Sequence, residues 1–282
     1  MKIELRRVNR TKPESTYIRS FASNVTSQFG EDGMIAKIFD LIGVKNRWCV
    51  EFGAWDGKYL SNTWDLINNK GWSAVLAEGD RERATRLAET HRDSSSRVFV
   101  ENAYVSWEGE SSLDAILSHA PIPTDFDLLS IDIDGNDWHV WNALTQYRPR
   151  IVVGEFNPTA SNQLYFVQDA DASLNQGASL LAMVDLAKSK GYELAACSLT
   201  NAMFVLAADF PRLAIADNTI DAMHEDILCT EICHGYDGTM FAAGHMFLNW
   251  HGLPLHQEDF QVIPKALRKY PDPGDRGAAP AT

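Results

Sequence analysis

The richest chemistry in this sequence sits in Asp127-Leu-Leu-Ser-Ile-Asp132-Ile-Asp134-Gly135-Asn136-Asp137-Trp138, an apolar run that empties into three acids. The run reads as a buried strand, and strand alternation puts Asp132 and Asp134 on one face. Carboxylates this close need a cation, a proton or solvent to hold them. A hard cation such as Mg²⁺, which takes one or two carboxylates and keeps several waters, fits such a set. A second apolar run, Ile151–Phe156, ends in Glu155-Phe-Asn157. If the two strands are neighbours, Asp134, Glu155 and Asn157 converge as oxygen ligands for a metal. The plainer alternative is solvated loop acids, with Asn136 or Asp137 capping a helix. Asp132 and Asp134 also qualify as general bases, with His139 one turn further on. His234 and His245 are weaker candidates, because an isolated histidine is more often structural.

The second concentration is Cys49-Val-Glu51-Phe-Gly53-Ala54-Trp-Asp56-Gly57. Here a short apolar run ends in an acid and opens into two glycines, with the spacing E-x-G-x-x-x-G. Glycine permits backbone angles closed to other residues and lets a ligand approach the chain. In an open parallel sheet, ligands bind at the carboxyl ends of the strands. The turn, from Glu51 through Gly53, Ala54 and Asp56 to Gly57, is therefore a candidate cofactor site, with Glu51 suited to a cationic amino group. It lacks the G-x-G-x-x-G of a dinucleotide turn and the Lys-Ser/Thr of a P-loop. Glu78 closes the next apolar run, 27 positions after Glu51. An acid there can take both hydroxyls of a ribose. Asn102, after the third run, could meet the edge of a base, and Asp132 could touch the same ligand.

Alternating elements must position these residues. Short apolar runs predict strands at Trp48–Phe52, Ser73–Ala77, Arg97–Val100, Phe126–Ile133 and Ile151–Phe156. Helical periodicity predicts helices over Ser27–Ile42, Ser61–Lys70, Arg81–His91, Leu113–Ser118, Trp138–Gln146 and Ser179–Lys190. Tyr192–Cys197 and Ala202–Ala207 read as a hairpin. This order implies right-handed βαβ units, hence an α/β, doubly wound, mainly parallel sheet with an antiparallel edge.

The 282 residues carry 38 acids against 25 Lys and Arg, a formal charge of −13. Such a surface repels phosphate backbones and anionic membranes over a Debye length of roughly 8–10 Å. A small-molecule or glycan substrate is the better expectation, without nucleic acid or membrane as partner; homo-oligomerisation stays open. No segment reads as a signal peptide or membrane span, so a cytoplasmic location is expected. Cys49 and Cys197 lie in apolar runs. Cys229, Cys233 and His234 resemble half a zinc site without a second pair, so reduced thiols are the simpler reading.

Taken in order, E-F-G-x-x-D-G, L-A-E-G-D, F-D-L-L-S-I-D-I-D-G and V-V-G-E-F-N resemble S-adenosylmethionine-dependent methyltransferases of the FkbM type. Asp134 stands where that family's strand-four motif has Glu. Gly177-Ala-Ser-Leu, Lys190-Gly-Tyr-Glu-Leu, Asn201-Ala-Met-Phe-Val and Ser27-Gln-Phe-Gly-Glu-Asp-Gly add to the likeness, which spans about Ser27–Asp209. The resemblance implies a Rossmann-like, seven-stranded sheet with a reversed hairpin. It implies that Glu51, Gly53 and Gly57 hold the methionine part of S-adenosyl-L-methionine and Glu78 its ribose. The activity it implies is O-methylation, often of sugars or natural products. The corresponding layout is an amino-terminal extension over 1–26, a core over 27–209, a further segment of the same domain over 210–269, and a disordered tail over 270–282. A nicotinamide-dependent oxidoreductase and a non-catalytic binding module are the rival readings; the turn lacks the first one's glycine pattern, and the intact acidic cluster argues against the second.

Overall fold

Seven strands form one sheet in the order β3-β2-β1-β4-β5-β7-β6. They are β1 (Trp48–Phe52), β2 (Ser73–Ala77), β3 (Val98–Glu101), β4 (Leu128–Ile131), β5 (Ile151–Glu155), β6 (Tyr192–Cys197) and β7 (Asn201–Leu206). The computed structural model describes residues 4–94 and 96–270. Strands β1 to β5 pair in parallel, while β7 runs antiparallel to both β5 and β6. The expected hairpin is thus present, and its second strand is inserted beside β5. The strand order reverses at β1, whose neighbours are β2 and β4. That switch point is where an open sheet offers a crevice at its carboxyl end.

Burial runs almost unbroken along β1, β2, β4 and β5, as expected of strands covered on both faces. The intervening helices are α1 (Glu31–Ile42), α2 (Trp64–Asn68), α3 (Arg81–Thr90), α4 (Leu113–Leu117), α5 (Asp137–Ala143) and α6 (Leu180–Ser189). Several are shorter than periodicity predicts, because local side chains capture the backbone first. Asp32 accepts the amides of Val25, Thr26 and Ser27, so α1 starts at Glu31, not Ser27. Ser61 to Thr63 bond to Glu51, and α2 starts at Trp64. Likewise β4 stops at Ile131, two residues before the expected end.

Contacts divide the chain into two compact units, Arg10–Glu225 and Met1–Asn9 with Asp226–Thr282. The expected core boundary at Asp209 falls inside the first unit. In the second, β8 (Thr230–His234) and β9 (Met240–Gly244) form an antiparallel hairpin. All four cysteines are free, Cys229 buried and Cys233 exposed on β8. Among the described residues, Cys229, Cys233 and His234 do not gather into a metal-binding group. Of the expected tail, only Tyr270 lies within the described residues. No described helix is long and apolar enough to cross a membrane.

The amino-terminal edge of the sheet is tied by one buried guanidinium. Arg150 donates to Asp127, twice to Asp209, and to the carbonyls of Ile42 and Gly43. All five of its N–H groups are therefore used. Asp127 is fully buried and also accepts the amides of Lys45, Asn46 and Arg47. Removing the cation leaves a buried carboxylate without its counter-charge. Arg150→Met should cost about 3–5 kcal/mol, read as a lower urea midpoint with the unfolding slope unchanged.

Candidate active site

Strand β1 delivers its exit turn against the exit of β4. Gly53 has φ +73°, and a Cβ built on it would lie 1.7 Å from the carbonyl oxygen of Asp132. Only glycine can make that passage. The turn then closes on itself. Ala54 N–H donates to Ala77 O at 3.2 Å and Gly57 N–H to Ala54 O at 2.8 Å. The Asp56 carboxylate accepts the amides of Lys58 and Tyr59. Gly57, φ +78°, leaves room beneath for Leu87 and His91.

Glu78, at the end of β2, ties this turn to its own. Its Oε2 accepts the Trp55 amide at 2.9 Å and its Oε1 the Asp80 amide at 2.8 Å. Each oxygen keeps a further acceptor position. Glu51 is more heavily engaged. It accepts from Ser61 Oγ at 2.6 Å, Asn62 N at 2.7 Å and Thr63 Oγ1 at 2.7 Å. One acceptor position remains to it, so the carboxylate chiefly holds the loop before α2. Asn102 donates its amide N–H groups to the carbonyls of Glu78 and Gly79, leaving Oδ1 as its acceptor. Exposed aromatics, Tyr104, Trp55 and Tyr59, lie at these turns. Tyr104 packs its ring so closely on Gly79 that a Cβ there would lie 2.2 Å from it. The Trp55 ring lies 3.5 Å beneath the Arg83 guanidinium carbon and 5.7 Å from Tyr59.

The acids of β4 and β5 do converge: one carboxylate oxygen from each of Asp132, Asp134 and Glu155 lies within 4.8 Å of the others. Strand alternation is not the reason, because β4 has already ended. Asp134 sits at φ +57°, in a bend held by Asp137, whose two oxygens accept the amides of Ile133 and Gly135. Asp137 is thus a structural acid. Asn157, expected beside Glu155, is engaged elsewhere. Its Oδ1 accepts from Thr159 N and Oγ1, and its Nδ2 donates to Gln176 O. His139, on α5, donates Nε2–H to Gln168 O at 2.8 Å, its ring near Trp107 and Trp138. That bond leaves Nδ1 as the basic nitrogen.

Burial and mutual repulsion push the Asp132 carboxyl up to about 8 and that of Glu155 to about 10. Asp134 is nonetheless exposed, so the group reaches solvent. The segment after β5 is bonded to the bend that carries them. Buried Gln168 accepts the amides of Gln176 and Gly177 and donates to Leu174 O. Asn175 donates to Asp134 O and Asn136 to Asp171 O. This polar loop has no periodicity, and the sequence reading left it without a role.

Residues 68–194 match the model of the Methyltransferase FkbM domain. The match covers a little under half of the chain and marks that stretch as similar to methyltransferase domains of the FkbM type. That domain contains Glu78, Asn102, the three converging acids, His139 and the Gln168 loop; the β1 turn precedes it. No curated protein matches the sequence. Among solved structures, a protein described as a sarcosine dimethylglycine methyltransferase from Galdieria sulphuraria is 17% identical, with TM-score 0.38, over 57% of this chain and 60% of its own. A SAM-dependent methyltransferase from Aquifex aeolicus is 10% identical, TM-score 0.36, over 60% and 87%. Magnesium protoporphyrin IX methyltransferase from Synechocystis PCC 6803 is 8% identical, TM-score 0.38, over 62% and 77%.

The raised acids have a consequence for stability. Glu155 ordinarily titrates at 4.5 and is raised to about 10, so the folded protein keeps a proton that the unfolded chain releases. The associated stability is complete below about 4.5 and is lost as pH climbs towards 10. In EDTA, Glu155→Gln should therefore melt several degrees above wild type near pH 9 and close to it near pH 5. Gly53→Ala should do the opposite and abolish folding of the turn, seen as lost nucleoside binding and a melting temperature lowered at every pH.

Proposed function

We propose that this methyltransferase uses S-adenosyl-L-methionine to methylate a hydroxyl of a sugar, glycan or other small natural product in the cytoplasm. The observation that carries the reading is the meeting, at one sheet end, of a glycine-opened turn braced by Glu78 with a solvent-reaching group of carboxylates. A nucleoside sulfonium fits the donor set. The two free acceptor positions of Glu78 match two ribose hydroxyls, Asn102 Oδ1 can accept from an adenine amino group, and the turn from Gly53 to Gly57 offers backbone to the methionine part. Ala54 and Asp56 shape that turn, and Glu51 holds the loop behind it. When bound, the sulfonium supplies an already activated methyl group.

What remains for the chain is to orient an acceptor and take its proton. A carboxylate whose proton affinity is raised to about 8 is a stronger base than an ordinary aspartate and is matched to neutral pH. Asp132 is accordingly the leading base, with Asp134 and His139 Nδ1 beside it. Mg²⁺ at Asp132, Asp134 and Glu155 is the finer form of this reading, supported by an all-oxygen donor set of the kind hard cations take. The four free cysteines support a reducing compartment. The net charge of −13 supports a substrate without phosphate backbone.

Thermal shift with S-adenosylhomocysteine and, separately, NAD tests the cofactor: a shift with the first alone is expected, and a shift with NAD alone would overturn the reading. Glu78→Ala should weaken S-adenosylhomocysteine about 10- to 100-fold, the loss of a charge-assisted pair of bonds. Asp134→Ala should leave that affinity within about twofold and abolish turnover.

A further inference from the structure

One buried side-chain oxygen paired across the sheet with Glu155 has no hydrogen-bond partner. Asn201 opens β7 and lies directly opposite Glu155 in the antiparallel ladder. Opposed residues in such a ladder project to the same face with Cβ atoms about 4.5–5.5 Å apart, so the Asn201 amide shares the Glu155 side of the sheet. Asn201 is 4% exposed, and its Oδ1 is buried without a hydrogen-bond partner. An orphaned acceptor of that kind costs free energy unless something occupies it. The orientation of the amide is not arbitrary. Its Nδ2 faces two oxygens, Glu31 Oε1 at 3.3 Å and Thr200 Oγ1 at 3.4 Å. Flipping the amide would set its oxygen against the Glu31 carboxylate oxygen. Glu31 is itself fully buried and fixed by the Phe29 amide at 2.7 Å, so the amide oxygen is held on the side away from Glu31.

The geometry points to Asn201 Oδ1 as a fourth ligand, with Asp132, Asp134 and Glu155, of a hard divalent cation, and to Glu31 as the group that aims it. The inference rests on the cation-assisted form of the proposed function. Its chemistry is coherent: three carboxylates and an amide carbonyl are all hard oxygen donors, with no sulfur or imidazole in the group. The carboxylate oxygens lie within 4.8 Å of one another, close enough to share one ion whose octahedron is roughly 4.2 Å across. A metal ligand oriented by a buried partner is also what makes such sites selective.

Mn²⁺ serves as the probe, with binding to the full-length chain measured by electron paramagnetic resonance and by melting temperature, and with S-adenosylhomocysteine binding measured on the same samples. Wild type should bind Mn²⁺ and melt higher in its presence. Asn201→Ala should weaken Mn²⁺ at least about tenfold while its S-adenosylhomocysteine shift is retained. Asn201→Asp, which supplies a carboxylate oxygen in the same place, should restore or tighten Mn²⁺ binding. Should the alanine variant fail to fold, the aspartate variant carries the test, and Mn²⁺ affinity weaker than wild type would overturn the assignment. Wild-type affinity in a folded Asn201→Ala would overturn it too, as would a wild-type chain that binds no Mn²⁺. Retained S-adenosylhomocysteine binding in either case leaves the methyltransferase reading standing; its absence in wild type is the separate failure of that reading.

Discussion

Everything in this site depends on one close passage of backbone: the exit of β1 crosses the exit of β4 with a hydrogen where any other residue would place a side chain. Gly53 against the Asp132 carbonyl joins the turn that offers itself to a nucleoside with the bend that carries the acids. Both segments leave the sheet there, at its switch point. Glu78 adds a second tie through the Trp55 amide. The candidate donor and acceptor halves are thus built on adjoining strand ends and not on separate mobile loops, the arrangement that best preserves positioning for a transfer reaction.

The electrostatics of the same strand ends oppose folding. Asp132 and Glu155 are both pushed towards their protonated forms by burial and by the carboxylates around them. A sequence optimised for stability alone would have amides at these places, and the enzyme instead retains acids and the destabilisation that comes with them at higher pH. Perturbed carboxyls gathered at a strand end are what acid–base and cation chemistry require. They are also what distinguishes these acids from Asp137, whose two oxygens are satisfied by amides and which serves only to shape the bend.

Much of this was legible in the sequence, and the failures have local causes. Buried parallel strands announce themselves as apolar runs, so β1, β2 and β5, the acids at their ends and the hairpin were all readable. The match of the FkbM domain agrees with the motif order. Asp134 was expected beside Asp132 and, separately, with Glu155 and Asn157, but from a partly mistaken premise. Alternation cannot operate past Ile131; a left-handed Asp134 turns its carboxylate to the others instead. Asn157 was misjudged because an amide two residues before Thr159 closes its own turn. Gln168 and Asn201 were given no site role. A polar loop has no period, and the importance of Asn201 comes from a strand pairing that only topology supplies.

The two ends of the sheet show why residue type alone does not reveal a site. At the amino edge, Asp127 is as buried as any acid in the chain. It meets one guanidinium and three backbone amides, and the guanidinium in turn has no donor left over. At the carboxyl edge, three carboxylates face one another with no cation among their described neighbours, and a buried amide oxygen beside Glu155 has no donor. A buried charge that is fully met contributes to the fold and needs nothing further. Charges and dipoles held together while incompletely met raise the energy of the empty protein. That energy is recovered when a proton, a cation or a substrate hydroxyl arrives, which is the physical sense in which the carboxyl edge is the working end of this enzyme.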